Sequence, residues 1–96
     1  MSVGETEKNV VMVGQKPVMN YVMACLTNFN AGAERVIVKA RGNAISHAVD
    51  AVELLRRAFA KDAEIENIEI GTQEMSRPDN SKSNVSTIEI SLLKKK

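Results

Sequence analysis

Tryptophan is absent, and one Tyr and two Phe are the only aromatic residues among 96. With so few flat side chains, stacking of bases on an aromatic platform is excluded as the main way of holding a nucleic acid. A single cysteine, Cys25, permits no internal disulfide, which fits a reducing compartment. It falls inside an apolar helical pattern and reads as a small buried hydrophobe. No apolar run approaches the length of a membrane span, and the polar start of the chain does not resemble a signal peptide. A soluble, cytoplasmic protein is therefore expected. Charge of one sign is also lacking: 13 basic residues stand against 12 acidic ones, for a formal net charge of +1. Where the charges lie must then matter more than their sum. The length suits one domain, small enough that a partner subunit would help to bury surface.

What is present is a regular alternation of elements. Residues 1–8 are polar and are expected to form a flexible arm preceding a domain over 9–96. Val10-Val11-Met12-Val13 is a continuous apolar run, which suits a central strand buried on both faces. Gly14-Gln15-Lys16-Pro17 ends it, with Pro17 opening a helix that carries Val18, Tyr21, Val22, Cys25, Leu26 and Phe29 and stops at Asn30-Ala31-Gly32. A second strand, Arg35-Val36-Ile37-Val38-Lys39, is a β-branched segment between two charged residues, of the kind that makes a half-buried strand. A second helix runs from Ala44 to about Phe59. Its apolar arc covers roughly 220°, more than one sheet can use, which implies a second contact, most simply another subunit. Close contact with the first helix is the alternative.

Asp62 to Glu66 reads as an acidic connector. Two further strands centre on Ile68-Glu69-Ile70 and on Ser86 to Leu92, with Ile68, Ile70, Ile88, Ile90 and Leu92 facing inward. Glu69, Gln73, Thr87, Glu89 and Ser91 face outward, the pattern of a sheet covered on one side only. Between them Met75 to Asn84 is polar and rich in turn formers, a long hairpin tip standing away from the body. The order β-α-β-α-β-β predicts an α+β, single-domain, two-layer sandwich: a four-stranded mixed sheet with both helices on one face and a long hairpin arm.

The octet Lys39-Ala40-Arg41-Gly42-Asn43-Ala44-Ile45-Ser46 joins the second strand to the second helix. Gly42 permits a tight turn, Asn43 is a good N-cap, and a helix opening after a strand presents free N–H groups to an anion. Lys39 and Arg41 flank it. In the plainer reading Gly42 and Asn43 only make the turn while Arg41 is solvated. If the first two strands are parallel, both helix starts emerge at one edge, which brings Lys16 and Arg41 together. Arg77 and Lys82 extend the basic set onto the hairpin tip, while Glu69 and Glu89 would repel a polyanion from the flat sheet. Phosphate contacts of this kind give affinity with little sequence information, and a thin basic arm fits a minor groove, where readout is degenerate. Arg77 and Lys82 taken singly could equally serve only to keep a loop soluble.

Nothing points to catalysis. His47 is the only histidine, at the polar border of the second helix. Asp50 and Glu53 are followed by Arg56 and Arg57, an ordinary ionic face. No nucleophile–base pair, metal-spaced cluster, Walker motif or dinucleotide fingerprint is present, so no cofactor, metal or small-molecule substrate is expected.

Val11 through Tyr21 (VMVGQKPVMNY), Ile37 through Val49 (IVKARGNAISHAV) and Val85 through Ile90 (VSTIEI) closely resemble the Alba family of archaeal chromatin proteins. The likeness covers nearly the whole chain. It implies a fold similar to the C-terminal domain of bacterial translation initiation factor three, and a homodimer that binds double-stranded DNA and RNA with little sequence preference, in association with the chromosome. It implies that the Lys16 loop lies across the nucleic acid at the dimer centre, that Arg41, Gly42 and Asn43 form a second binding loop, and that the arms reach flanking minor grooves. Phe59, with Leu55 one turn earlier, falls where the family makes dimer–dimer contacts along DNA. Many relatives carry Lys-Lys before the Pro, the first being acetylated in some to weaken binding. Here Gln15 stands there, neutral and close in shape to an acetylated lysine, which implies a permanently weakened position with Lys16 carrying the contact. A ribonucleoprotein subunit working mainly through protein–protein contacts is the competing reading.

Overall fold

The computed structural model describes residues 9–94, so the expected arm over 1–8 and the end of the lysine tail lie outside the described residues. The element order is strand β1 (Val10–Met12), helix α1 (Val18–Asn30), strand β2 (Arg35–Arg41), helix α2 (Ile45–Leu54), strand β3 (Ala63–Ser76) and strand β4 (Lys82–Lys94). The strands form one sheet in the order β1-β2-β4-β3, with β1 parallel to β2 and the other pairs antiparallel. This is the expected α+β fold.

Alternation in β2 sends Val36, Val38 and Ala40 into the core and leaves Arg35 and Arg41 exposed on the opposite, open face. Ile88, Ile90 and Leu92 of β4 join the same core, closed from above by Tyr21, Val22, Cys25 and Phe29 of α1 and by Ala48, Ala51 and Val52 of α2. Burial pushes the Cys25 thiol up to about 11, as expected of an inert core position. Helix α1 ends as the sequence suggests: Gly32 takes φ +106°, where a side chain would be strained, and its N–H donates to the Phe29 carbonyl at 3.0 Å.

Several expectations need correction. The first strand lies at the sheet edge and is buried on one face only, because among the described residues none covers the open face: Val11 and Val13 are buried while Met12 is 64% exposed. Asn43 is not a helix cap. Gly42 to Ala44 form a turn of 3₁₀ helix before α2, and no side chain caps either start. Asp62 to Glu66 is no separate connector either, since β3 begins at Ala63 and a bulge at Glu66 shifts its register. Ile68 and Ile70 do face the helix side, paired with Ile90 and Ile88, yet they are exposed because β3 lies beyond the reach of the helices.

The end of α2 is the least regular part. Leu55–Phe59 form a π-helical turn, closed by the Ala60 N–H donating to the Leu55 carbonyl at 2.7 Å. With ordinary helical spacing, Phe59 would sit one turn after Leu55 and point inward. The wider turn instead gives that buried place to Ala60 and leaves Phe59 47% exposed. Leu55 is fully buried, so of the two residues expected at a dimer–dimer contact it belongs to the core and only Phe59 is available.

Candidate nucleic-acid interface

Parallel pairing of β1 and β2 brings the two strand-to-helix loops to one rim. Met12 pairs with Lys39, and the Val13 N–H donates to the Lys39 carbonyl at 2.8 Å, so the Gln15–Lys16 loop leaves the sheet beside Arg41. Tyr21 fixes that loop. Its hydroxyl oxygen, carried on a buried ring, accepts from the Gly14 N–H at 2.9 Å and the Lys16 N–H at 3.0 Å. Two backbone donors that would otherwise be tied only by water are thus satisfied, and the Lys16 side chain is left exposed. Helical periodicity assigns Tyr21 to the core and does not predict this second role. The readable signal is its place one helical turn into α1, from which a phenol can reach back to the loop.

Arg41 extends from the end of β2 across the open face. Its Nη1 donates to Gln73 Oε1 at 3.4 Å and approaches Met75 Sδ at 3.9 Å. Each contact is weak, but together they aim the guanidinium along the base of the hairpin. Gln73 and Met75 are therefore part of the site, and sequence spacing could not place them beside Arg41. Gly42 adopts φ +56°, a conformation in which a side chain would be strained, so glycine suits this turn. A groove of about 800 Å³ runs between these parts, lined among others by Met12, Gln15, Lys39, Arg41, Gln73 and Glu89.

Beyond the row Arg41–Thr87, β4 pairs only with β3. The rows from Thr72–Ser86 to Ser76–Lys82 form a two-stranded arm about 17 Å long. At its tip Arg77 and Ser81 bond backbone to backbone, and Asn80 takes φ +70°. The Ser81 N–H and hydroxyl both donate to the Asp79 carboxylate, at 3.1 and 2.6 Å, and hold its pKa below the usual range. Arg77 and Lys82 are exposed at this end, while Lys16, Arg41 and Asn43 lie on the rim at the other end of the arm.

The cations differ in their company. Lys39 lies 3.5 Å from Glu89, and Lys82 lies 3.9 Å from Glu74. Among the described residues, Lys16, Arg41 and Arg77 have no carboxylate within ion-pair distance. At the opposite end of the open face Arg35 binds Glu66 through two bonds of 2.6 and 2.9 Å and holds that carboxyl below its usual range. Within the rim and arm, the cations without an ion-pair partner are thus Lys16, Arg41 and Arg77.

Residues 9–72 match the Alba family. The chain is 55% identical to a DNA/RNA-binding protein Alba of Methanocella arvoryzae over 86 residues, 90% of each chain. Its fold matches Alba from Thermoplasma volcanium with a TM-score of 0.84 and 46% identity, over 90% of this chain and all of that one. It also matches ALBA1 of Trypanosoma brucei with a TM-score of 0.74 and 27% identity, over 91% of this chain and 69% of that one. Length, fold and sequence agree: the chain belongs to the Alba family.

Proposed function

We propose that this chain is a non-catalytic, sequence-tolerant binder of double-stranded DNA and of RNA that works as a homodimer in the cytoplasm, associated with the chromosome. The loops holding Lys16 and Arg41-Gly42-Asn43 contact phosphates, and the arm carries Arg77 and Lys82 into a minor groove. The observation that carries this reading is the common rim: two independently built loops present Lys16 and Arg41 at the root of the arm that carries Arg77 and Lys82, with Arg41 held against the arm by Gln73. The relative from Methanocella is named for binding DNA and RNA, which agrees. A homodimer is supported by apolar surface that the single chain leaves bare. Ile65, Ile68 and Ile70 line one side of β3, and Val49 and Phe59 are exposed on the helical layer. Phe59 is the residue offered for contacts between dimers.

The test is a salt titration of binding to duplex DNA and to structured RNA. Binding should weaken steeply with salt, because each phosphate neutralised releases counterions. Replacing both Arg77 and Lys82 by Ala should weaken binding to unrelated sequences about equally, and should lower the salt slope by about one for each phosphate no longer neutralised. A salt-independent affinity, or weakening confined to particular sequences, would overturn the reading.

A further inference from the structure

The open face carries a transverse row of paired positions, Met12, Lys39, Glu89 and Glu69, one from each strand. Lys39 and Glu89 are direct cross-strand neighbours with Nζ and Oε2 3.5 Å apart, each side chain about two-fifths exposed. Glu69 sits directly opposite Glu89 on its other side and has no cationic partner among the described residues. Like charges directly opposed across a strand pair destabilise a sheet, so a second acid here does not serve folding. Its electrostatic effect is to deepen the negative potential around the Lys39 ammonium. The arm carries a second such pair, set diagonally across its two strands: Lys82 Nζ lies 3.9 Å from Glu74 Oε1, with both side chains more than half exposed. Of the five cations at the interface, Lys39 and Lys82 are paired with carboxylates, while Lys16, Arg41 and Arg77 are not.

We infer that Glu89 and Glu74 are intramolecular competitors for the phosphate backbone: each holds a strand lysine that would otherwise contact the polyanion, and so sets affinity below what the basic residues could supply. This rests on the nucleic-acid reading above and identifies residues that tune that site. An exposed ion pair is weak, so it does not remove the lysine from use. It makes each phosphate contact an exchange of one carboxylate for another anion. Reversible, mobile attachment is the consequence, and the sheet floor is kept from becoming an extra phosphate track.

The experiment measures duplex DNA binding by fluorescence anisotropy at several salt concentrations. The proteins are the native chain, Glu89→Gln, Lys39→Met and the double variant, with Glu74→Gln, Lys82→Met and their double variant as a second cycle. Glu→Gln preserves shape and removes only charge. Each should tighten binding about three- to fivefold at low salt. Each should also steepen the logarithmic salt slope by close to one. The gain should disappear when the paired lysine is already Met. Unchanged affinity in both Glu→Gln variants, with the native protein still binding in a salt-dependent way, overturns this inference alone. An equal gain in the Lys→Met backgrounds overturns it too, since net charge would then explain the effect. Absence of salt-dependent binding by the native protein would remove the underlying functional reading as well.

Discussion

Strand β4 crosses two environments, and its two halves are held by different forces. From Thr87 to Leu93 it has a neighbour on each side and buries Ile88, Ile90 and Leu92 beneath the helices. From Lys82 to Ser86 it has only β3 beside it, no core residue, and a polar sequence. The first half is stabilised by apolar area withdrawn from water. The second depends on ladder hydrogen bonds and a tip turn, and an isolated two-stranded hairpin is marginal in water. The same backbone thus supplies a rigid platform and, continuous with it, a part from the low-stability end of the molecule, where binding segments are commonly found.

The sharpest way to break this contrast is a pair of substitutions in one strand. Leu92, fully buried, should cost about 2–5 kcal/mol when replaced by Ala, through the missing transfer energy and the cavity left behind. Ser83→Ala in the arm should stay within about 0.5 kcal/mol. Chemical denaturation of both variants measures the difference. Comparable destabilisation would mean that the arm belongs to the cooperative core.

The next effect is smaller for a single chain and larger for an assembly. Ile70 is 81% exposed and Ile68 is half exposed, although both face the helix side of the sheet. If each chain stood alone, polar substitution there would change stability by no more than about 0.5 kcal/mol. As a homodimer, the pair Ile68→Ser and Ile70→Ser should shift the protein to monomer in sedimentation. The unfolding midpoint of the native protein should rise with protein concentration, and that of the variant should not. A native protein that sediments as a monomer would break the homodimer and hand this apolar strip to a different protein partner.

These two strands also show what can be read from sequence. The β-α-β-α order points to the shared rim of Lys16 and Arg41 on the condition that the first two strands are parallel, and β1 and β2 are. Periodicity assigns a residue to a face but does not say how far the opposite layer extends. Ile68 and Ile70 are therefore read on the right side with the wrong exposure. Met12 shows the converse, since an apolar residue on an open face looks the same in sequence as one buried on both sides. Phe59 escapes for a different reason: a spacing of 3.6 residues per turn contains no π turn. The Arg41–Gln73 contact spans 32 positions and depends on β4 lying between β2 and β3, a strand order that local pattern does not encode.

The smallest effect concerns the arm tip, where one side chain adds to the order of two backbone bonds. Asp79 accepts from both the N–H and the hydroxyl of Ser81, and these bonds depress its pKa. A carboxyl whose pKa is lowered by structure stabilises that structure fully above its ordinary value and loses the contribution as pH falls through the depressed one. Acidification should therefore loosen the tip. Asp79→Ala should do the same at neutral pH, with faster amide exchange at Ser81 and at Asn80, whose N–H donates to the Arg77 carbonyl at 2.9 Å. Exchange at Val38 and Ile90, in the covered half of the sheet, should not change. If the core amides accelerate along with the tip, the arm and body unfold as one unit and the division drawn through β4 does not hold. If only the tip responds, the orientation of Arg77 is set by a local turn, independent of the core that sets Arg41.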